Sequence, residues 1–445
     1  MKNTLLLCTL LPFFAGAQQT YVPDDNFETL LEYSGMGNGI VNDDSVTTAN
    51  INSVNELYIM NESISDLTGI EDFTALEVLD CSDNQLMSLD VTQNTGLTHL
   101  FCSYNQLTSL DVTQNTALTW LDCEGNQLTS FDVTQNTGLT HLYCSYNQLT
   151  SLDVTQNTAL TWLVCDENQL TSLDVTQNTA LTYLVCAENQ LTSLDVTQNT
   201  VLGNLYAENN QLTSLDVTQN TALFSLTCGN QLTSLDLTQN TNLIALGCDY
   251  NQLTTLDLSQ NTNLQFFACR GNQLTSLDLS RHTDLTHLAC EENQLECLNV
   301  KNGNNINIVF LNALDNSDLT CIEVDDPAWA TTNWTAADYN IDAGVTFSSN
   351  CGNACSSAPT EIGEISPAVS LYPNPATEMI TVDTEGLIGK IFEVRIYDLS
   401  GQLVDQQSNV SRNHIEINTS TFQSGMYWCS VRTNIGQTQV KFIVQ

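Results

Sequence analysis

Leu97, Leu100 and Cys102 are followed at a short interval by Leu107, Leu110 and Val112, and the same set of apolar positions returns 21 residues later. The segment LTHLFCSYNQLTSLDVTQNTA (97–117) recurs in this way from Leu76 through Asn305, with one copy a residue short at Thr227-Cys228-Gly229-Asn230. A divergent copy of 22 residues begins at Val54 and a degenerate one spans 308–324, making 13 rungs. Each rung has two halves, L-x-x-L-x-C-x-x-N and L-x-x-L-D-V-x-x-N, in which inward apolar residues alternate with outward ones. A period of two marks a short strand, and no window within the rungs has the spacing of an amphipathic helix. The pattern predicts a mainly β fold: a parallel solenoid with two short strands per 21-residue rung, joined by tight bends. At ~4.8 Å per rung it would extend roughly 60 Å.

A stack of rungs needs its ends covered. Residues 18–53 predict an N-terminal cap with a helix, Asp24 or Asp25 at its N-cap and Phe27, Leu30 and Leu31 on one face. The rungs occupy 54–325, and 326–355 would close the other end. A Ser/Pro/Ala-rich linker follows at 356–368. From 369 to 445 the character changes to longer alternating segments, VSLYPNPATEMITVDT, FEVRIYDLSGQLV, FQSGMYWCSV and QVKFIVQ, which predict a β-sandwich. At the other terminus, MKNTLLLCTLLPFFAGA joins one lysine, an apolar run and a small-x-small site, so 1–17 is expected to be a signal peptide cleaved after Ala17. Cys8 lies inside the apolar run and does not follow a lipobox. No transmembrane span is expected in the mature chain, because no other stretch approaches ~20 apolar residues.

The rungs resemble the bacterial leucine-rich-repeat class with a nested 21-residue unit, over residues 54 to 324. That resemblance implies a ladder of asparagines bonding the backbone at each bend, here Asn84, Asn105, Asn126, Asn147, Asn168, Asn189, Asn210, Asn230, Asn251, Asn272 and Asn293. Residues 369–445 resemble the type A C-terminal sorting domain of the type IX secretion system. The likeness rests on Tyr372-Pro373-Asn374-Pro375, Ile396-Tyr397-Asp398-Leu399-Ser400-Gly401, Gly425-Met426-Tyr427 and the terminal Lys441-Phe442-Ile443-Val444. It implies a partner in the type IX secretion machinery, removal of the domain, and release from or attachment to the surface of a Gram-negative bacterium.

Charge narrows the partners. The formal net charge is -42, from 51 acidic against 9 basic residues, and no Lys or Arg occurs between Lys2 and Arg270. Such a surface repels phosphate backbones and acidic lipid heads, so nucleic acid is excluded as a partner. Five of the basic residues, Lys390, Arg395, Arg412, Arg432 and Lys441, lie in the last segment.

Of the 16 cysteines, 14 fall into two sets. Cys81, Cys102, Cys123, Cys144, Cys165, Cys186, Cys228, Cys248, Cys269 and Cys290 share one inward repeat position and are expected to be reduced core residues. Cys297, Cys321, Cys351 and Cys355 cluster at the C-terminal cap, where export permits disulfides. Cys297 and Cys321 share a column on neighbouring rungs, close enough to bond, while the repeat-family resemblance implies Cys321 with Cys351; spacing leaves the connectivity open.

The positions that differ between rungs fall mostly on the outward side of the first strand. His99, Phe101, Tyr104, Trp120, Asp122, His141, Tyr143, Tyr146, Trp162, Tyr183 and Tyr206 would form an aromatic and acidic face suited to an extracellular protein or glycan. The competing reading is that stacked rings only steady neighbouring strands, at ~0.2–1 kcal/mol per pair. That would make the protein a structural acidic rod without a specific ligand. The second half-rung repeats Asp90, Asp111, Asp132, Asp153, Asp174, Asp195, Asp216, Asp236, Asp257 and Asp278 in one outward column. Calcium could use such oxygens, but the Gly-Asp nonapeptide of known calcium repeats is missing. No metal site, cofactor or catalytic constellation is expected: there is no G-x-S-x-G, H-E-x-x-H or phosphate loop. His99 and His141 lie two rungs apart, roughly 10 Å, too far to share a metal.

Overall fold

The computed structural model describes residues 17–352, 355, 370–384, 391–398, 403–408, 414–433 and 437–444. The signal segment up to residue 16, the linker 356–368 and residues 399–401 of the sorting-domain motif lie outside them. The chain divides into two compact units between Cys355 and Ser356.

The first unit is a parallel solenoid. Its main sheet has 13 strands of three residues each, from Glu56–Tyr58 through His99–Phe101, Trp120–Asp122, His141–Tyr143, Trp162–Val164 and Tyr183–Val185 to Phe310–Asn312. The register is strict: Leu100 pairs with Leu121, Leu121 with Leu142 and Leu142 with Leu163. These leucines point inward with no solvent exposure, as do the cysteines two residues on. Each thiol is small enough for the crowded interior, and several donate to a carbonyl of the next rung, as Cys102 Sγ does to Asp122 O at 3.4 Å. Burial pushes the ladder thiols far above their ordinary range, to about 12 for Cys228, so they are unreactive hydrophobes.

The bends are closed by side chains. Asn105 Nδ2 donates to the carbonyls of Cys81 (3.0 Å) and Cys102 (3.2 Å), while its Oδ1 accepts from the Leu86 amide (3.0 Å). The same ladder continues one rung past the predicted set, to Asn316. A second ladder serves the other bend: Asn115 Nδ2 donates to Val91 O (2.8 Å) and Asn94 O (2.9 Å).

The second half-rung departs from expectation. It is a strand only at the C-terminal end, where Ser276–Asp278, Cys297–Asn299, Cys321–Glu323 and Thr346–Ser348 form a parallel sheet. Upstream, the described residues show a single bridge, Asp90 to Asp111. The boundary falls where the aspartate column ends, and the single upstream bridge itself joins two of its aspartates. Carboxylates directly opposite one another oppose pairing, and the aspartate column runs unbroken to Asp278. Where Asn299 replaces the next aspartate, its Nδ2 donates to Asp278 Oδ1 (3.1 Å) and the ladder closes.

Both ends are covered. Asp24 is the N-cap of the helix Asp25–Tyr33 and accepts from the amides of Asn26 and Phe27, both at 3.0 Å. Its other oxygen takes the Ser65 amide (2.8 Å), tying the cap to the first rung. Phe27 and Leu31 are buried, with Phe27 against Phe73. Leu30 is only partly covered. At the other end the short helix Pro327–Asn333 is capped by Asp326, and Trp334 packs between Trp329 and Phe347. Two disulfides join this region, Cys321–Cys351 and Cys297–Cys355.

The second unit has two antiparallel sheets, one of Ser370–Tyr372, Met379–Asp383 and His414–Asn418, the other of Leu403–Ser408, Ile391–Tyr397, Gly425–Thr433 and Gln437–Val444. Alternate residues, Ile380, Val382, Val394, Ile396, Ile415 and Ile417 among them, build its core, together with the Cys429 thiol. The Tyr-Pro-Asn-Pro motif contacts the last strand: Asn374 Oδ1 accepts from the Ile443 amide (2.9 Å).

Candidate functional site

Outward positions of the main sheet form two columns. His99, Trp120, His141, Trp162, Tyr183 and Asn204 stand in register in one, and Phe101, Asp122, Tyr143, Val164, Val185 and Tyr206 in the other. Strands ~4.8 Å apart leave room for successive rings only if the rings stand face to face. They do. Trp120 and His141 have centroids 4.1 Å apart and planes 7° apart; Trp162 and Tyr183 lie at 3.8 Å and 12°. Looser contacts connect the pairs, His141 to Trp162 at 6.2 Å and His99 to Trp120 at 6.4 Å. Across the columns, Phe101 and Tyr143 flank Trp120 at 6.0 and 5.6 Å, and Tyr183 meets Tyr206 at 5.7 Å. These side chains are half-buried.

Asp122 sits in this block. Burial raises its carboxyl above the ordinary range, opposed by a hydrogen bond from the Glu124 amide (3.1 Å). Burial also raises the Tyr143 phenol, with Asp122 adding to it, and lowers His141, with His99 adding to that. His99 and His141 each hold a threonine hydroxyl at Nδ1, Thr98 and Thr140, at 2.9 Å. At the end of the block the Tyr206 hydroxyl donates to Asn204 Oδ1 (3.3 Å) and accepts from the Ser225 hydroxyl (3.2 Å).

Tyr104 and Tyr146 stand on the margin. Both lie in the bend after the strand, with left-handed φ of 52°, and both are about half exposed. The Tyr104 ring covers Gly125, where a Cβ would come within 2.7 Å. Its hydroxyl bonds Glu124, which pushes the phenol up to about 12.

A second ring cluster was absent from the predicted face: Phe266 stacks on His287 at 4.7 Å, and His287 lies 6.2 Å from Phe310. The signal was available, since these residues occupy the same repeat column as His99 and Trp120. Asn204, Ser225 and Ala245 interrupt the rings between the two clusters.

The aspartate column is locally satisfied. Asp153 Oδ1 accepts from both the amide (3.0 Å) and the hydroxyl (2.7 Å) of Thr155, and six other aspartates of the column repeat the pair. These bonds hold the Asp153 carboxyl below its usual range. Among the described residues Asp25, Glu28 and Asp44 bring carboxylate oxygens within 4.8 Å of one another. Glu28 there accepts from the Asp43 and Asp44 amides, a joint of the cap.

The solenoid is a leucine-rich-repeat fold, and the two-sheet tail is a type IX secretion sorting domain: residues 370–445 match the family described as secretion system C-terminal sorting domain. The protein is accordingly secreted or attached at the cell surface. No helix among the described residues is long and apolar enough to cross a membrane. The chain is similar to the functional domain of InlJ from Listeria monocytogenes, a structure said to include a cysteine ladder. The TM-score is 0.62 and the identity 28%, covering 96% of this chain and 99% of that one. It shares its fold with the internalin inlF of the same species (TM-score 0.58, 22% identity, 69% of this chain, 92% of that). It is 38% identical over 79 residues to ulvan lyase NLR42 of Nonlabens ulvanivorans, which is 17% of this chain; the chain spans 14% of that curated relative's length.

Proposed function

We propose that this chain is an exported, non-catalytic binding protein that holds an extracellular ligand on the ring block between His99 and Tyr206. The observation that carries the reading is the register of that block, where stacked aromatic side chains surround the half-buried Asp122 on the outer side of a rigid sheet. Ring orientation favours a polypeptide over a glycan. Trp120, His141, Trp162 and Tyr183 spend their faces on one another, whereas a sugar ring seeks a free face. A peptide finds indole, imidazole and phenol groups along the edges. Absence of catalysis is supported by seven aspartates of the column, Asp90, Asp111, Asp153, Asp174, Asp195, Asp216 and Asp236, whose carboxyls are held below the usual range and are poor proton donors. The stretch shared with ulvan lyase is 14% of that protein, too little to carry its activity.

The test is a screen of extracellular proteins and glycans arrayed against the wild type and a Trp120→Ala/Tyr143→Ala/Trp162→Ala variant. The wild type should capture a protein, and the variant should lose at least about tenfold in affinity while keeping its circular dichroism. Equal capture by the variant would remove the proposed face. Capture of nothing would favour the acidic rod.

A further inference from the structure

Downstream of the ring block the margin of the sheet changes character. The residue before the strand is Thr98, Thr119, Thr140, Thr161 and Thr182 in five successive rungs, and each hydroxyl donates to a carbonyl of the rung before at 2.9–3.1 Å. In the next three rungs that position is Gly203, Phe224 and Ile244. Thr286 later resumes the bond, 3.0 Å to Gln265 O. Phe224 is 44% exposed and Ile244 37%, and the same margin continues with Phe266 (46%), Val309 (75%) and Phe310 (47%). The changes are coordinated. The Phe224 ring lies over Gly203, where a Cβ would come within 2.8 Å of it.

Each replacement gives up a hydrogen bond, and Phe224 and Ile244 turn apolar surface toward water. Several on one margin make the kind of patch that marks a contact. Charge selects the occupant. Glu208, Asp249 and Glu291 stand just past the C-terminal ends of strands in these rungs, opposite the apolar margin; Glu208 accepts from the Thr227 hydroxyl, Asp249 from the Arg270 amide (2.7 Å), and Glu291 lies 3.6 Å from the Arg270 guanidinium. The first basic residue of the solenoid, Arg270, is held by Glu292 at 2.6 Å with its guanidinium over the Tyr250 ring. A second copy of a chain with net charge -42 is repelled. We infer that this margin docks a separate, cationic polypeptide segment, its apolar side chains along Phe224, Ile244 and Phe266 and its Lys or Arg side chains reaching Glu208 and Asp249.

The measurement uses the mature full chain and two labelled synthetic peptides, one of leucine and lysine in an amphipathic order, the other with glutamate for lysine. Phe224→Thr/Ile244→Thr restores the residue other rungs carry there, so it should melt no lower than wild type. The lysine peptide should bind saturably, weaken with salt, and lose at least about tenfold in the double variant. A Trp120→Ala/Trp162→Ala variant should bind it unchanged. No saturable binding, equal affinity in the Phe224→Thr/Ile244→Thr variant, or equal binding of the glutamate peptide overturns the inference. Loss in the Trp variant alone would move the peptide to the ring block and also overturns it. Self-association in sedimentation, abolished by Phe224→Thr/Ile244→Thr, would assign the margin to a second copy, with the same consequence. None of these results depends on the ligand of the ring block, because the two sets of substitutions lie on different rungs.

Discussion

Asn147 serves four backbone groups at once, donating to the carbonyls of Cys123, Cys144 and Ser145 and accepting from the Leu128 amide. A buried amide or carbonyl left unpaired costs about 1–3 kcal/mol, so one side chain per bend decides whether the bend can be buried at all. The second ladder relies on the same residue type up to Asn261, and there the next position is His282. His282 is 1% exposed, and neither ring nitrogen has a well-formed hydrogen bond. Burial lowers its pKa below 6.5, and the nearby Leu279 and Leu258 carbonyls and Asp278 offset only part of that. The unfolded chain takes up this proton first, so the contribution is whole above about pH 6.5 and is lost as the pH falls below that value. His282→Asn should therefore melt at higher urea than wild type, with the gap widening from about pH 7 to about pH 5. A gap that stays constant across that range would remove the histidine from the account.

Half-rungs show how far an alternating pattern can be trusted. The first half, with Leu100 and Cys102 inward, gave strands in the expected register. The second half alternates equally well, with Leu110 and Val112 inward and buried, yet it stays unpaired through most of the solenoid. Alternation reports which side chains face the core. It says nothing of what an outward side chain meets on the next rung, and there Asp153, Asp174 and Asp195 meet one another. Asp174→Asn should reproduce the Asn299–Asp278 arrangement, because Asn can keep the bond to the Thr176 amide and add a donor toward its neighbour. We expect a gain of about 0.2–1 kcal/mol in chemical denaturation, larger at low salt. A loss of stability would mean that charge is not what keeps the half-rungs apart.

For the whole molecule, the sequence-derived 13 rungs equal the 13 strands of the main sheet, because a fixed period leaves little freedom in a stack whose layers touch only their neighbours. What the period could not reveal lies where it ends. The partner of Cys297 is Cys355, 58 residues away, and depends on the path of a non-repeating cap. The ring positions were legible as variable outward columns; the orientation of the rings, which decides what they can touch, follows from strand spacing and side-chain shape together. Net charge is also a property of the whole. With carboxylates ~5 Å apart, added sodium chloride up to about 1 M should raise the melting temperature. Chelator should leave it unchanged, since Asp Oδ1 atoms are already engaged by threonine. A flat salt response, or a drop on chelation, would contradict this picture.

The near-identity of successive turns also makes length an editable property. Removing residues 161–181 would join Leu160 to Thr182, recreating the Leu-Thr junction found in six of the rungs, so both asparagine ladders and the thiol file would run on across the scar. The shortened protein would fold as before but set His141 beside Tyr183 with Trp162 gone. A lineage can thus reshuffle the order of its outward rings by unequal exchange between copies, without ever passing through an unfolded ancestor.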